Sequence, residues 1–136
     1  MKIVLDTNIL LVSVHLKSQY RTIYDALRIG KYQLIVSNEV LTEYYELLSK
    51  FYSNEFAEVV IDEILNLDNV VLQEPYFKFE LISIDPDDNK FVDLAICSNS
   101  DFIVTQDNHY NILKDIKFPQ VQTLNMNEFI DIISKL

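Results

Sequence analysis

Lys2 to Leu5 (KIVL) is a short apolar run that stops at an acid, Asp6. A run of that length bounded by a charge reads as a buried strand. Apolar residues then return at helical spacing over 8–16 and 22–29, broken near 17–19, and Gly30 suits a helix C-terminal cap. A second short strand is expected at 34–36. Ser37 and Asn38 offer N-cap oxygens for a helix to about Tyr52, whose apolar stripe is Val40, Leu41, Tyr44, Leu47, Leu48 and Phe51. A further helix is predicted over about 54–67, a third strand at 70–72, and an irregular stretch with Pro75 over 74–84. Asp85-Pro86-Asp87-Asp88 opens a helix to about Ser98, with Pro86 suited to its first turn. The run FIVT at 102–105 is a strand leading into Gln106 and Asp107. The last strand is expected at 121–124, and Asn125 caps a closing helix to Lys135. Strands alternating with helices imply βαβ units with right-handed crossovers. The expectation is a three-layer α/β/α fold around a parallel sheet of about four to five strands.

The chain has 136 residues, 49% of them apolar, which fits one domain over 1–136 with a real core. No apolar run reaches the roughly 18 residues that span a bilayer. Residues 1–6 carry one lysine and reach an acid at once, unlike a signal peptide, so a cytoplasmic protein is expected. Cys97 is the only cysteine, which excludes a disulfide framework and a thiolate zinc site. Gly30 is the only glycine, which excludes the glycine-rich loops that wrap phosphates. Any phosphate chemistry must therefore use side chains and metal.

The net charge of −10 argues against general nucleic-acid binding, but it is unevenly spread. Residues 1–34 hold five bases against two acids, a net of +3; the rest holds six bases against nineteen acids, −13.

Topology sends four of those acids to one place. In a parallel sheet with crossover helices, the strand C-termini and the N-termini of the helices share one edge, where open α/β sheets bind ligands. Asp6 ends the first strand and Asp107 lies just past another. Glu43 sits in the second turn of the helix after 34–36, and Asp88 in the first turn of the helix before 102–105. Carboxylates crowded this closely repel unless protonated or joined by a cation. Hard oxygen donors without cysteine or clustered histidine point to Mg²⁺ or Mn²⁺. Such ions support in-line phosphodiester displacement.

Each acid also has an ordinary reading. Asp6 and Asp107 could cap the helices that follow them, and Asp85, Asp87 and Asp88 favour a helix macrodipole. Asp88, however, shares a stripe with Val92 and Ala95 and points coreward, whereas Asp93 falls on another face, expected to be solvated. Glu43 belongs to a row with Glu39, Glu46 and Lys50 that usually means a solvated face, yet Val40 and Leu47 flank it. His15 and His109 lack a nucleophile partner at motif spacing. Cys97, among Ala95 and Ile96, reads as a buried structural thiol, and Tyr44 and Tyr45 as core and rim.

With these residues in place, the chain resembles the PIN domains, and within them the toxin-like group often paired with an antitoxin, the VapC-like endoribonucleases. Ile3-Val4-Leu5-Asp6-Thr7-Asn8 resembles that family's first acidic motif, and Ser37 to Glu43 (SNEVLTE) its second. Asp85 to Phe91 (DPDDNKF), running into Leu94-Ala95, is similar to the third, with Asp88 as its ligand. Val104-Thr105-Gln106-Asp107 is similar to the fourth. The resemblance implies metal binding and catalysis by Asp6, Glu43, Asp88 and Asp107, with Thr7, Asn8, Thr105 and Asp85 in support. It implies Mg²⁺ or Mn²⁺ dependence, RNA cleavage, an antitoxin partner and a homodimer. Two departures stand out: Gln106 replaces the usual glycine, and Asn108-His109-Tyr110-Asn111 differs from the usual short leucine-bearing pattern.

RNA is expected to lie along the one stretch with a basic and aromatic balance, His15 to Arg21. Lys17, Tyr20 and Arg21 are its candidate contacts, with Lys90 near the scissile bond. Rival folds with acids at strand ends fit less well. A receiver domain wants an acidic pair after the first strand and a lysine after the last. A haloacid-dehalogenase-type phosphatase wants a second aspartate where this chain has Asn8. The remaining alternative is a catalytically degenerate PIN-like domain kept for binding a protein.

Overall fold

Five parallel strands run in the order β3-β2-β1-β4-β5: β1 (Lys2–Leu5), β2 (Gln33–Val36), β3 (Val70–Leu72), β4 (Phe102–Val104) and β5 (Thr123–Leu124). The structure is a computed structural model and describes residues 1–82, 86–117 and 119–136. β1 is central, with Ile3 paired to Leu34 on one side and to Phe102 on the other. Ile3, Val4 and Leu5 are at most 1% exposed, as expected of a parallel strand covered on both faces. The ladder continues one step past β1, where Asp6 N donates to Val104 O at 3.0 Å. That bond fixes the first acid at the sheet edge.

The helices are α1 (Thr7–Ser13), α2 (Arg21–Arg28), α3 (Asn38–Phe51), α4 (Asn54–Leu65), α5 (Asn89–Ser98) and α6 (Met126–Ser134). Short 3-10 stretches cover Pro86–Asp88 and Asn108–Asp115. Right-handed crossovers in this strand order put α1 to α4 on one face and α5, which packs on β1, β2 and β4, on the other. The expected α/β architecture with an all-parallel sheet is therefore present, with five strands. No helix among the described residues is long and apolar enough to cross a membrane.

Hydroxyl and amide side chains start the long helices. Ser37 accepts from Val40 N, Ser53 from Phe56 N, and Asn125 forms a capping box with Glu128. Gly30, at φ +80°, ends α2: its N–H reaches Leu27 O and the Lys31 N–H reaches Ala26 O. Asn99 does the same for α5 at φ 54°, the left-handed role that asparagine fills in a chain nearly without glycine.

Several boundaries differ from the sequence reading. The first helix stops at Ser13 rather than continuing to 16, and α4 at Leu65. The strand expected over 121–124 is reduced to Thr123–Leu124, the length that β4 pairs with. The turn before α5 is a 3-10 turn, so Asp88 stands at the N-cap instead of inside the helix.

Asp93 is a larger correction. It is buried, not solvated, because the segment returning from β3 passes over its face of α5, and Asp93 accepts from Phe79 N at 2.9 Å. Burial holds its carboxyl above the usual range, partly offset by that N–H. Asn89 clamps the same segment with both amide atoms, accepting from Ile82 N and donating to Ile82 O, each at 2.8 Å.

Candidate active site

Asp6 occupies the N-cap position of α1 but makes no side-chain cap bond. Its carboxylate turns instead toward β4, where the Thr105 hydroxyl donates to Oδ2 at 2.8 Å. The same hydroxyl oxygen accepts from Asp107 N at 3.0 Å, so Thr105 orients two acids at once. Burial pushes the Asp6 carboxyl above its ordinary value. The Thr105 bond opposes this, and the negative charges of Glu43 and Asp107 add to it. Thr105→Val keeps the shape and removes both bonds. The Asp6 carboxylate and the Asp107 N–H then lose these partners, so the melting temperature is expected to fall and Thr105→Ser to restore most of it, as melting curves of the three proteins check.

Glu43 projects from α3 toward Asp6 and is held through both oxygens. The Thr7 hydroxyl donates closely to Oε2, and Lys90 Nζ lies 3.0 Å from Oε1. Lys90, only 10% exposed at its side chain, also donates to Asp87 O at 2.8 Å. Lys90 is thus a cation built into the acidic edge. Glu39, Glu46 and Lys50 on the same helix are exposed, as their row suggested.

Asp88 and Asp107 meet on the other side of the edge together with His109. One ligand atom from each of the three lies within 4.8 Å of the others. Asp107 caps the 3-10 stretch by accepting from His109 N at 2.8 Å, and this turn brings the imidazole back over the acid. His109 Nδ1 lies 3.2 Å from Asp107 Oδ1 and 3.5 Å from Asp88 Oδ2. At the level of sequence His109 has no nucleophile partner at motif spacing to mark it. The usable signal was its place two residues after a capping aspartate.

Tyr110 lies beneath the cluster, buried, with its hydroxyl 3.5 Å from Asp88 O. Its hydroxyl is pushed well above the usual range by burial and by the charges of Asp6, Asp88, Asp107 and Glu43. The donors present suit a hard or borderline divalent cation: several carboxylate oxygens, one imidazole nitrogen and no thiolate.

The other expected residues are placed less directly. Asn8 is exposed and, among the described residues, makes no hydrogen bond to the acids. Asp85 lies outside the described residues. Lys17 is exposed, while Tyr20 is half-buried against the core. Arg21 is engaged within its own neighbourhood: it pairs with Asp25 at 2.9 Å, donates to Val14 O and lies over the Tyr24 ring. Tyr44 is core, donating to Leu5 O at 2.6 Å, and Cys97 is half-buried with a free thiol.

A family model described as a PIN domain matches residues 2–109. No curated protein matches the chain. Among solved structures, the chain is similar to one in the crystal structure of VapBC2 from Rickettsia felis bound to a DNA fragment from their promoter. The TM-score is 0.63 at 20% identity, over 92% of this chain and 98% of that one. At that identity the likeness speaks of fold. The family match, by contrast, spans most of the sequence and takes in Asp6, Glu43, Asp88 and Asp107: the chain belongs to the PIN domain family.

Proposed function

We propose that the protein is a metal-dependent endoribonuclease that hydrolyses RNA phosphodiester bonds at this acidic edge, as the toxin of a toxin–antitoxin pair. The observation that carries the reading is the linkage of acids from four separate elements: Thr105 bonds both Asp6 and Asp107, Asp107 stands with Asp88 and His109, and Thr7, next to Asp6, bonds Glu43. Asp6, Asp88 and Asp107, with Glu43 alongside, would hold Mg²⁺ or Mn²⁺. Such an ion supplies a polarised water and offsets the charge of the scissile phosphate. Asp6, its carboxylate oriented by Thr105, is suited to take the proton that the attacking water loses. Thr105 holds it in position, Thr7 and Lys90 hold Glu43, and Lys90 sets an ammonium in the acidic edge where the scissile phosphate would lie. The direct test is incubation with structured and unstructured RNAs, with and without Mn²⁺. A degenerate binding module predicts neither cleavage nor retention of Mn²⁺.

The track for the rest of the RNA runs along α1. A groove of about 670 Å³ joins Asn8, beside the acids, to His15, Lys17 and Ser18, with Tyr52 in its wall. Lys17 supplies an exposed charge there; Tyr20, half-buried against the core, and Arg21, held by Asp25 and Val14, lie outside the groove's lining and contribute less. Lys17→Ala is expected to weaken RNA binding and to flatten its log–log salt dependence by about 0.7, one fewer counterion on a single strand. Metal affinity should stay the same. Unchanged binding across a salt series would remove this segment from the track.

Association is favoured by apolar side chains exposed beside this groove and outside its lining, Leu16 at 80% and Val59 at 64% exposure. The expected particle is a homodimer, giving by light scattering about twice the 15.9 kDa chain mass. A basic segment of an antitoxin would complement the acidic edge and compete with metal there. The relative in the VapBC2 complex supports looking for such a protein in the neighbouring gene. Co-expression that leaves metal binding and cleavage untouched would count against it.

A further inference from the structure

We infer that His109 is a nitrogen ligand of the bound ion and tilts this site toward Mn²⁺ over Mg²⁺; the inference rests on the metal-dependent reading above. Nδ1 of His109 and Oδ2 of Asp88 are both shut off from solvent, although the imidazole as a whole is 37% exposed. The ring therefore turns its Nδ1 edge inward and its other edge outward. The backbone N–H of His109, tied to Asp107 Oδ1, sets where the ring leaves the chain, and the contacts of Nδ1 with the two carboxylates set its direction. With Nδ1 at 3.2 Å from an Asp107 oxygen and 3.5 Å from an Asp88 oxygen, the nitrogen stands where a third donor to a shared cation would stand. The stretch Asn108 to Asn111, which departs from the resemblance at sequence level, is thus the one that brings a nitrogen to the carboxylates.

The choice of ion follows from donor chemistry. Mg²⁺ takes oxygen ligands in near-ideal octahedral geometry and sheds water reluctantly, whereas Mn²⁺ shares the preference for carboxylates but, as a first-row transition ion, accepts an imidazole beside them more readily. A mixed site of carboxylates and one imidazole accepts Mg²⁺ through its oxygens but gains more from Mn²⁺.

The experiment uses the full-length chain loaded with Mn²⁺ and reads pulsed electron paramagnetic resonance together with calorimetric affinities. The chain has two histidines, and His15 is exposed at the far end of α1. Nitrogen modulation of the Mn²⁺ signal is expected in the parent, altered by ¹⁵N-histidine labelling and absent in His109→Asp. The Mn²⁺-over-Mg²⁺ affinity ratio is expected to fall on the order of tenfold in that variant. Labelling keeps the test independent of whether the variant folds. Bound Mn²⁺ without nitrogen modulation, or modulation unchanged in His109→Asp, overturns this inference and leaves the acidic metal site standing. A parent that binds no Mn²⁺ overturns both.

Discussion

Replacing Asp6 with asparagine is expected to lower RNA cleavage by about 100- to 10,000-fold, the range over which groups that prepare a proton transfer act. Asparagine has nearly the same volume, and its amide can still meet the Thr105 hydroxyl, so packing between β1 and β4 survives. What is lost is a charge at the centre of the edge, with its ability to hold a cation and to accept a proton. Excess chelator should abolish parent cleavage to a similar extent, and the two losses should not add, since both act through the same cluster. Asp88→Asn and Asp107→Asn should fall in the same range. The comparison is made on fluorescent RNA at neutral pH with circular dichroism of each variant alongside. Full activity in chelator, or in the folded Asp6→Asn protein, would remove the acids from the chemistry.

The convergence of these acids was readable because it depends on chain direction. A parallel sheet sends every strand end to one edge, and the ends of KIVL and FIVT are marked by Asp6 and by Thr105 with Asp107. Side-chain behaviour was harder where the partner is remote. Local rules make Asp6 a capping residue, and it does stand at the cap position. Its carboxylate is nevertheless drawn away by a hydroxyl 99 residues along the chain. Asp93 is buried against expectation for the same reason: helical periodicity reports neighbours on one helix, not a segment that returns over it. Glu43 lies in a row that otherwise faces solvent, and only the placement of Thr7 and Lys90 distinguishes it. Arg21 shows the reverse case, in which a local rule suffices. Asp25 lies four residues on along α2, and that pairing alone predicts a guanidinium turned along its own helix.

Metal should stabilise the protein strongly, and the acids should make the metal-free form weaker at neutral pH than in mild acid. The folded state raises the Asp6 carboxyl above its ordinary 3.8, so between that value and the raised one the folded form binds more protons than the unfolded chain. Stability therefore falls as pH climbs through this window, and the penalty is complete above it. Asp93 is raised in the same direction, mainly by burial, but its carboxylate is bonded to Phe79 N and is not among the ligand atoms grouped at the edge. A cation at the edge removes the Asp6 share of the penalty and leaves the Asp93 share. Asp6→Asn removes the same share without metal, and should raise the melting temperature of the metal-free protein at neutral pH while having little effect in acid. Mn²⁺ at about 100 times its dissociation constant contributes about 2.7 kcal/mol, which for a chain of this size is about 10 °C in melting temperature. In Asp6→Asn the metal-induced rise should shrink markedly, because a principal ligand is gone. Differential scanning calorimetry of both proteins, with chelator and with Mn²⁺ across a pH series, measures every part of this. A substitution that lowers the metal-free melting temperature at neutral pH, with no rise on adding Mn²⁺ to the parent, would mean that Asp6 serves the fold and holds no ion.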